Sequence, residues 1–148
     1  MTKVMEKEEI RTIIKDIIHG SNTACLATVD GDKPWVRYIM AYNSGDNLQL
    51  FCSTSLKSRK VKQIKENPNI HLTTGWDHAN NQGPYIQFSG KAEIHSDAET
   101  KKKHWHPMLE QFFQTPDNPN YCIIEFSPDN IEICGYSENP METITYTP

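Results

Sequence analysis

Apolar residues recur at Ile10, Ile13, Ile14, Ile17 and Ile18, a spacing that lines one side of a helix and predicts an amphipathic helix over residues 5–19. Glu6, Glu8 and Glu9 gather at its start, where the helix dipole favours negative charge, and Gly20 marks its end. The period then changes. TACLATV (23–29), PWVRYIMAY (34–42) and LQLFCS (48–53) are short runs of β-branched and aromatic residues separated by the turns at 30–34 and 43–47, which predicts an antiparallel meander.

Leu56, Val61 and Ile64 share one helical face, and Asn67-Pro68 stops that second helix. Strands are expected at 69–76 and 84–94 around a polar loop, and one helix at 97–114 capped by Ser96 or Asp97. Two further strands follow at 121–126 and 130–136, and 141–146 extends the sheet. Six or so antiparallel strands with three inserted helices make an α+β domain built on a closed or split barrel.

The 148 residues suit one domain, 1–148. Mean hydropathy is −0.66, and no apolar run approaches the 18 or so residues of a membrane span. The N-terminal MTKVMEKEEI has no signal-peptide core, which points to the cytoplasm. Four cysteines are widely spaced with no C-x-x-C, and Cys25, Cys122 and Cys134 read as small buried hydrophobes, so no disulfide framework or thiolate metal site is expected.

Charge changes the picture at one place. The formal net charge is −4, yet Lys57, Arg59, Lys60, Lys62 and Lys65 put five of the 15 Lys and Arg into nine positions. An acidic chain with one basic patch is not a general nucleic-acid binder, which needs a broad basic surface; it suits a small anion. Lys62 and Lys65 read as a solvated helix face. Arg59 and Lys60 stand at the front of the helix, where cations are unfavourable unless an anion balances them. With Ser53, Thr54, Ser55 and Ser58 leading in, they predict a phosphate site. Arg37, one charge in the apolar run WVRYIM, faces water, a partner or that ligand. The six histidines show no companions at ligand spacing: His104 and His106, at i, i+2, do not share a helix face, so no metal site is expected.

The series RYIMAY (37–42), ST (53–54), SRK (58–60) running on to QI and NP (67–68), and SGKAE (89–93) resembles the pyridoxamine 5′-phosphate oxidase family, and within it the general stress protein 26 branch. The resemblance runs in register from about residue 20 to residue 95. It implies a split antiparallel β-barrel with peripheral helices that forms a homodimer holding FMN at the subunit interface. By position, Ser58, Arg59 and Lys60 would hold the FMN phosphate. Ser53 and Thr54 would touch the phosphate or ribityl chain, and Arg37, Tyr38, Ile39 and Met40 would line the flavin. Tyr85, or else Gln87, stands where the oxidases use a glutamine.

Two departures narrow this. Tyr42 stands where the oxidases carry a lysine, and residues 130–148 offer no counterpart to the Arg and His that grip pyridoxal phosphate, so vitamin B6 oxidation is not expected. The expected activity is flavin oxidoreduction between a reduced nicotinamide or other small donor and a small acceptor, in a stress response; the competing expectation is a non-catalytic flavin-binding or flavin-sequestering protein. Trp35, Trp76 or Trp105 would wall a substrate pocket, or else pack the core.

Overall fold

A computed structural model describes residues 4–148. Helix α1 (Lys7–Ile18) forms where the isoleucine stripe predicts it. Ile14 and Ile18 are fully buried, with Ile10, Ile13 and Ile17 packed against the same core. Among the described residues, no helix is long and apolar enough to cross a membrane.

The strands are β1 (Ser21–Asp30), β2 (Lys33–Tyr42), β3 (Leu50–Ser55), β4 (Asn69–Thr74), β5 (Tyr85–His95), β6 (Tyr121–Cys134) and β7 (Thr143–Tyr146). All ten residues of β1 pair with β2, across a two-residue turn whose Gly31 takes φ 64°, a conformation glycine adopts without penalty. The order β3-β2-β1-β4-β5-β6-β7, with β3 also bonded to β6, closes six antiparallel strands into a barrel. The closure is uneven. β3 pairs with β6 through six residues but with β2 only at Tyr42–Phe51, so most of one β2 edge is free. This is the split barrel expected.

Alternate residues of each strand fill the interior, among them Leu26, Leu50, Leu72, Phe88, Ile124, Phe126 and Ile131. Helix α2 (Arg59–Glu66) adds Val61 and Ile64 to that core. It begins at Arg59 rather than near residue 56, because strand β3 runs on to Ser55 and a turn follows. In that turn Ser58 N–H donates to the Ser55 carbonyl at 3.0 Å and Lys57 N–H to the Ser55 hydroxyl at 3.2 Å.

Two further expectations are corrected. The single helix at 97–114 is broken into α3 (Ala98–Lys103), a 3₁₀ turn (Pro107–Leu109) and α4 (Glu110–Phe113). Pro107 has no N–H to continue a helix, and the chain restarts on it. The two strands at 121–136 are one, β6, running through Pro128. The register shifts there opposite Ser89 and Gly90, and a bulge tolerates a residue without an N–H. Gly90 has no room for a side chain, since a Cβ would lie 2.0 Å from the Ser127 carbonyl oxygen.

Candidate functional site

Ser58 caps α2 by position, with extended backbone, but its hydroxyl makes no capping bond. That hydroxyl is buried and has no hydrogen-bond partner among the described residues. The N–H groups of Arg59, Lys60 and Val61 likewise find no acceptor among the described residues. The first turn carries two cations and no acid, the reverse of what the dipole favours. Neither cation forms an ion pair among the described residues. Donors without acceptors, beside uncompensated positive charge, fit a phosphate dianion.

The side chains do not all face one way. Arg59 stacks on Trp35, its guanidinium carbon 4.5 Å from the ring centroid, which leaves its in-plane N–H donors free. It lines a cleft of about 470 Å³ with Asp30, Lys57, Ser58, Lys62, Gln63 and Glu66. Lys60 lies a hundred degrees further round the helix. Its charge is felt instead by the Cys52 and Cys122 thiols, both pushed up to about 11 by burial.

Arg37 points from β2 toward the same end of the barrel. One of its amino groups donates to the Thr28 hydroxyl at 2.7 Å and the other to Gln63 Oε1 at 2.8 Å. The Thr28 hydroxyl donates in turn to that Gln63 oxygen. Burial, and then the Arg59 charge, holds the guanidinium below its ordinary value. Gln63 therefore ties α2 to β1 and β2, while its buried amide nitrogen has no partner among the described residues. In the sequence Gln63 was one letter of a motif; its role depends on a contact 26 residues away along the chain.

Ser53 and Thr54 are neighbours on β3 and must face opposite sides. Thr54 is buried inward, whereas Ser53 is half-buried on the outer face. Burial pushes the Tyr42 phenol up strongly, and its hydroxyl meets His104 Nδ1 at 3.1 Å. On β2, Ile39 is buried and Tyr38 and Met40 are exposed, so the run 37–40 offers a ligand its free edge and alternate side chains.

Tyr85 is elsewhere. It lines a second cleft, about 350 Å³, with Tyr38, Cys25, Thr73, Trp76 and His78, a cleft sharing no residue with the one at α2. Gln87, the alternative, pairs with Thr73 and Glu132. Beside this cleft the outer face of β2 exposes Val36 (68 %), Tyr38 (71 %) and Met40 (55 %). Of the three tryptophans, Trp76 walls this cleft, Trp35 underlies Arg59, and Trp105 packs edge-on against Tyr121.

The sequence model of the pyridoxamine 5′-phosphate oxidase family matches residues 8–135. General stress protein 26 of Bacillus subtilis (strain 168) is 33% identical over 134 residues, covering 90% of this chain and 94% of that one. The crystal structure of General Stress Protein 26 from Bacillus anthracis str. Sterne superposes with a TM-score of 0.75 at 31% identity, covering 92% of this chain and 98% of that one. Pyridoxine/pyridoxamine 5′-phosphate oxidase of Yersinia pestis bv. Antiqua (strain Angola) is 38% identical over 79 residues; these are 53% of this chain but only 35% of that enzyme. With most of its length matched by the family model and nearly all of it by a relative of the same size, this chain belongs to the pyridoxamine 5′-phosphate oxidase family.

Proposed function

We propose that the chain binds FMN, with the phosphate on the amino end of α2, and acts as a flavin-dependent oxidoreductase. It would move hydride or electrons between a reduced nicotinamide or other small donor and a small-molecule acceptor. The observation that carries this reading is the buried, unpartnered Ser58 hydroxyl set among three free N–H groups, Arg59 and Lys60. Arg37 adds a third positive charge, held in place by Thr28 and Gln63. The flavin supplies the redox chemistry, and the residues bind and orient it.

The same reading makes the protein a homodimer. Tyr85 and the α2 end line separate clefts, and a second copy of the chain brings such clefts together around one flavin. The exposed apolar stripe of Val36, Tyr38 and Met40 is the surface such a copy would cover. Membership of the family and the likeness to General stress protein 26 support a role in stress.

The test is a titration of flavin-free protein with FMN and with riboflavin, which lacks the phosphate. Arg59→Ala with Lys60→Ala removes two charge-assisted contacts of about 1.5 to 3 kcal/mol each, so FMN affinity should drop a hundredfold or more while riboflavin binding stays. Equal losses for both flavins would remove the phosphate from α2. Anaerobic bleaching of bound flavin by NADH or NADPH tests the enzymatic half; no reduction by either nicotinamide or another small donor leaves a flavin-binding protein.

A further inference from the structure

On the outer face of β5 and β6 three ligand-type side chains converge. Glu93 and Glu125 are directly opposite one another across the two strands, and His95 lies two residues further along β5 on the same face. His95 Nε2 is 2.8 Å from Glu125 Oε2 and 3.8 Å from Glu93 Oε2. One donor atom from each of the three falls within 4.8 Å of the others. Like charges placed directly opposite in a sheet repel, and among the described residues no Lys or Arg pairs with either glutamate. His95 and Glu125 are about three-quarters buried (24 and 26% exposed), and Glu93 is open to water at 74%.

We propose that Glu93, His95 and Glu125 bind a divalent transition metal, with Zn²⁺ the best match. One imidazole nitrogen among carboxylate oxygens favours a borderline ion over Ca²⁺ or Mg²⁺, which take oxygen alone. In a tetrahedral site with bonds near 2.1 Å, neighbouring ligand atoms stand about 3.4 Å apart. The two nitrogen–oxygen distances lie either side of that value, so small rotations of two carboxylates admit the ion. Three protein ligands leave the fourth position to water, on the exposed Glu93 side. His104, held by Tyr42, lies close enough to feel the charge of both Glu125 and His95. The sequence hid this site because Glu125 is 30 residues from His95.

Full-length protein is freed of metal with a chelator and titrated with Zn²⁺ against a competing chromophoric chelator, with flavin absent. One equivalent should bind at micromolar concentration or below. His95→Ala should abolish that equivalent, and Glu125→Gln, which keeps size and a hydrogen bond to His95, should weaken it at least tenfold. Zn²⁺ should raise the melting temperature of the native protein, less that of Glu125→Gln and not that of His95→Ala. Should His95→Ala fail to fold, Glu125→Gln decides alone. Binding only at millimolar Zn²⁺, or an equivalent that survives Glu125→Gln unchanged, overturns the assignment. Neither result bears on the flavin site.

Discussion

Ser58→Ala should move stability and flavin binding in opposite directions. An N-cap serine replaced by alanine ordinarily costs about 1 kcal/mol, because a capping bond is lost. Here no such bond exists: the hydroxyl makes no hydrogen bond to the α2 N–H groups and is buried without a partner among the described residues. Removing an unsatisfied buried hydroxyl relieves part of a desolvation cost of about 1 to 3 kcal/mol, so the flavin-free variant should be as stable as the native protein or more stable by up to ~1 kcal/mol. With FMN the balance reverses. A hydrogen bond from Ser58 to a dianionic phosphate contributes about 1.5 to 3 kcal/mol, so the variant should bind FMN roughly ten- to 150-fold more weakly and riboflavin about as before. Urea unfolding of flavin-free protein gives the first quantity, and quenching of flavin fluorescence the second. A loss of 1 kcal/mol or more in the free protein, with FMN affinity unchanged, would mean that Ser58 simply caps the helix, and the reasoning would fail.

Gly90→Ala should cost about 3 kcal/mol or more, because the new methyl meets the backbone of Ser127 and Pro128, which no side-chain rotation can clear; an unchanged urea midpoint would contradict this. Asp97 caps α3, accepting from the Thr100 N–H at 2.9 Å and the Thr100 hydroxyl at 2.8 Å, and these bonds hold its carboxyl below the usual range. Its folded pKa is thus below an unfolded value near 3.9, so its contribution is complete above about pH 4 and is lost as pH falls through the folded value. Asp97→Asn keeps an acceptor but should lose that part of the acid dependence, which unfolding curves between neutral and acid pH would read. The buried Lys101 ammonium donates to the Asn118 carbonyl at 2.9 Å, pinning the loop before β6 to α3. Lys101→Met should lower stability by about 1 to 3 kcal/mol, visible in thermal melts, and should leave FMN affinity unchanged.

How much of this was legible depended on how far along the chain the cause lay. The isoleucine stripe of α1 and the β1–β2 meander are local patterns, and the structure keeps both. The break at Pro107 was equally local: a residue without an N–H stands in the middle of the helix expected at 97–114. The merging of two strands into β6 was not local, because Pro128 is tolerated only where Gly90 on the neighbouring strand lets the register slip. At the site, the cations of α2 and the serine before them could be read directly. That Arg59 and Lys60 diverge, that Ser53 and Thr54 face opposite sides, and that Gln63 holds Arg37 all follow from three-dimensional direction, which residue spacing alone under-specified.

The one-pair junction of β2 with β3 also sets where the wall should come apart first. With a single rung there against six between β3 and β6, amide protons on the unbonded side of β2 should trade with solvent deuterium early, before those of the β5–β6 core. A ligand lying along that rim would slow the trade, so deuterium uptake by residues 33–41 offers a gauge of occupancy that needs no chromophore.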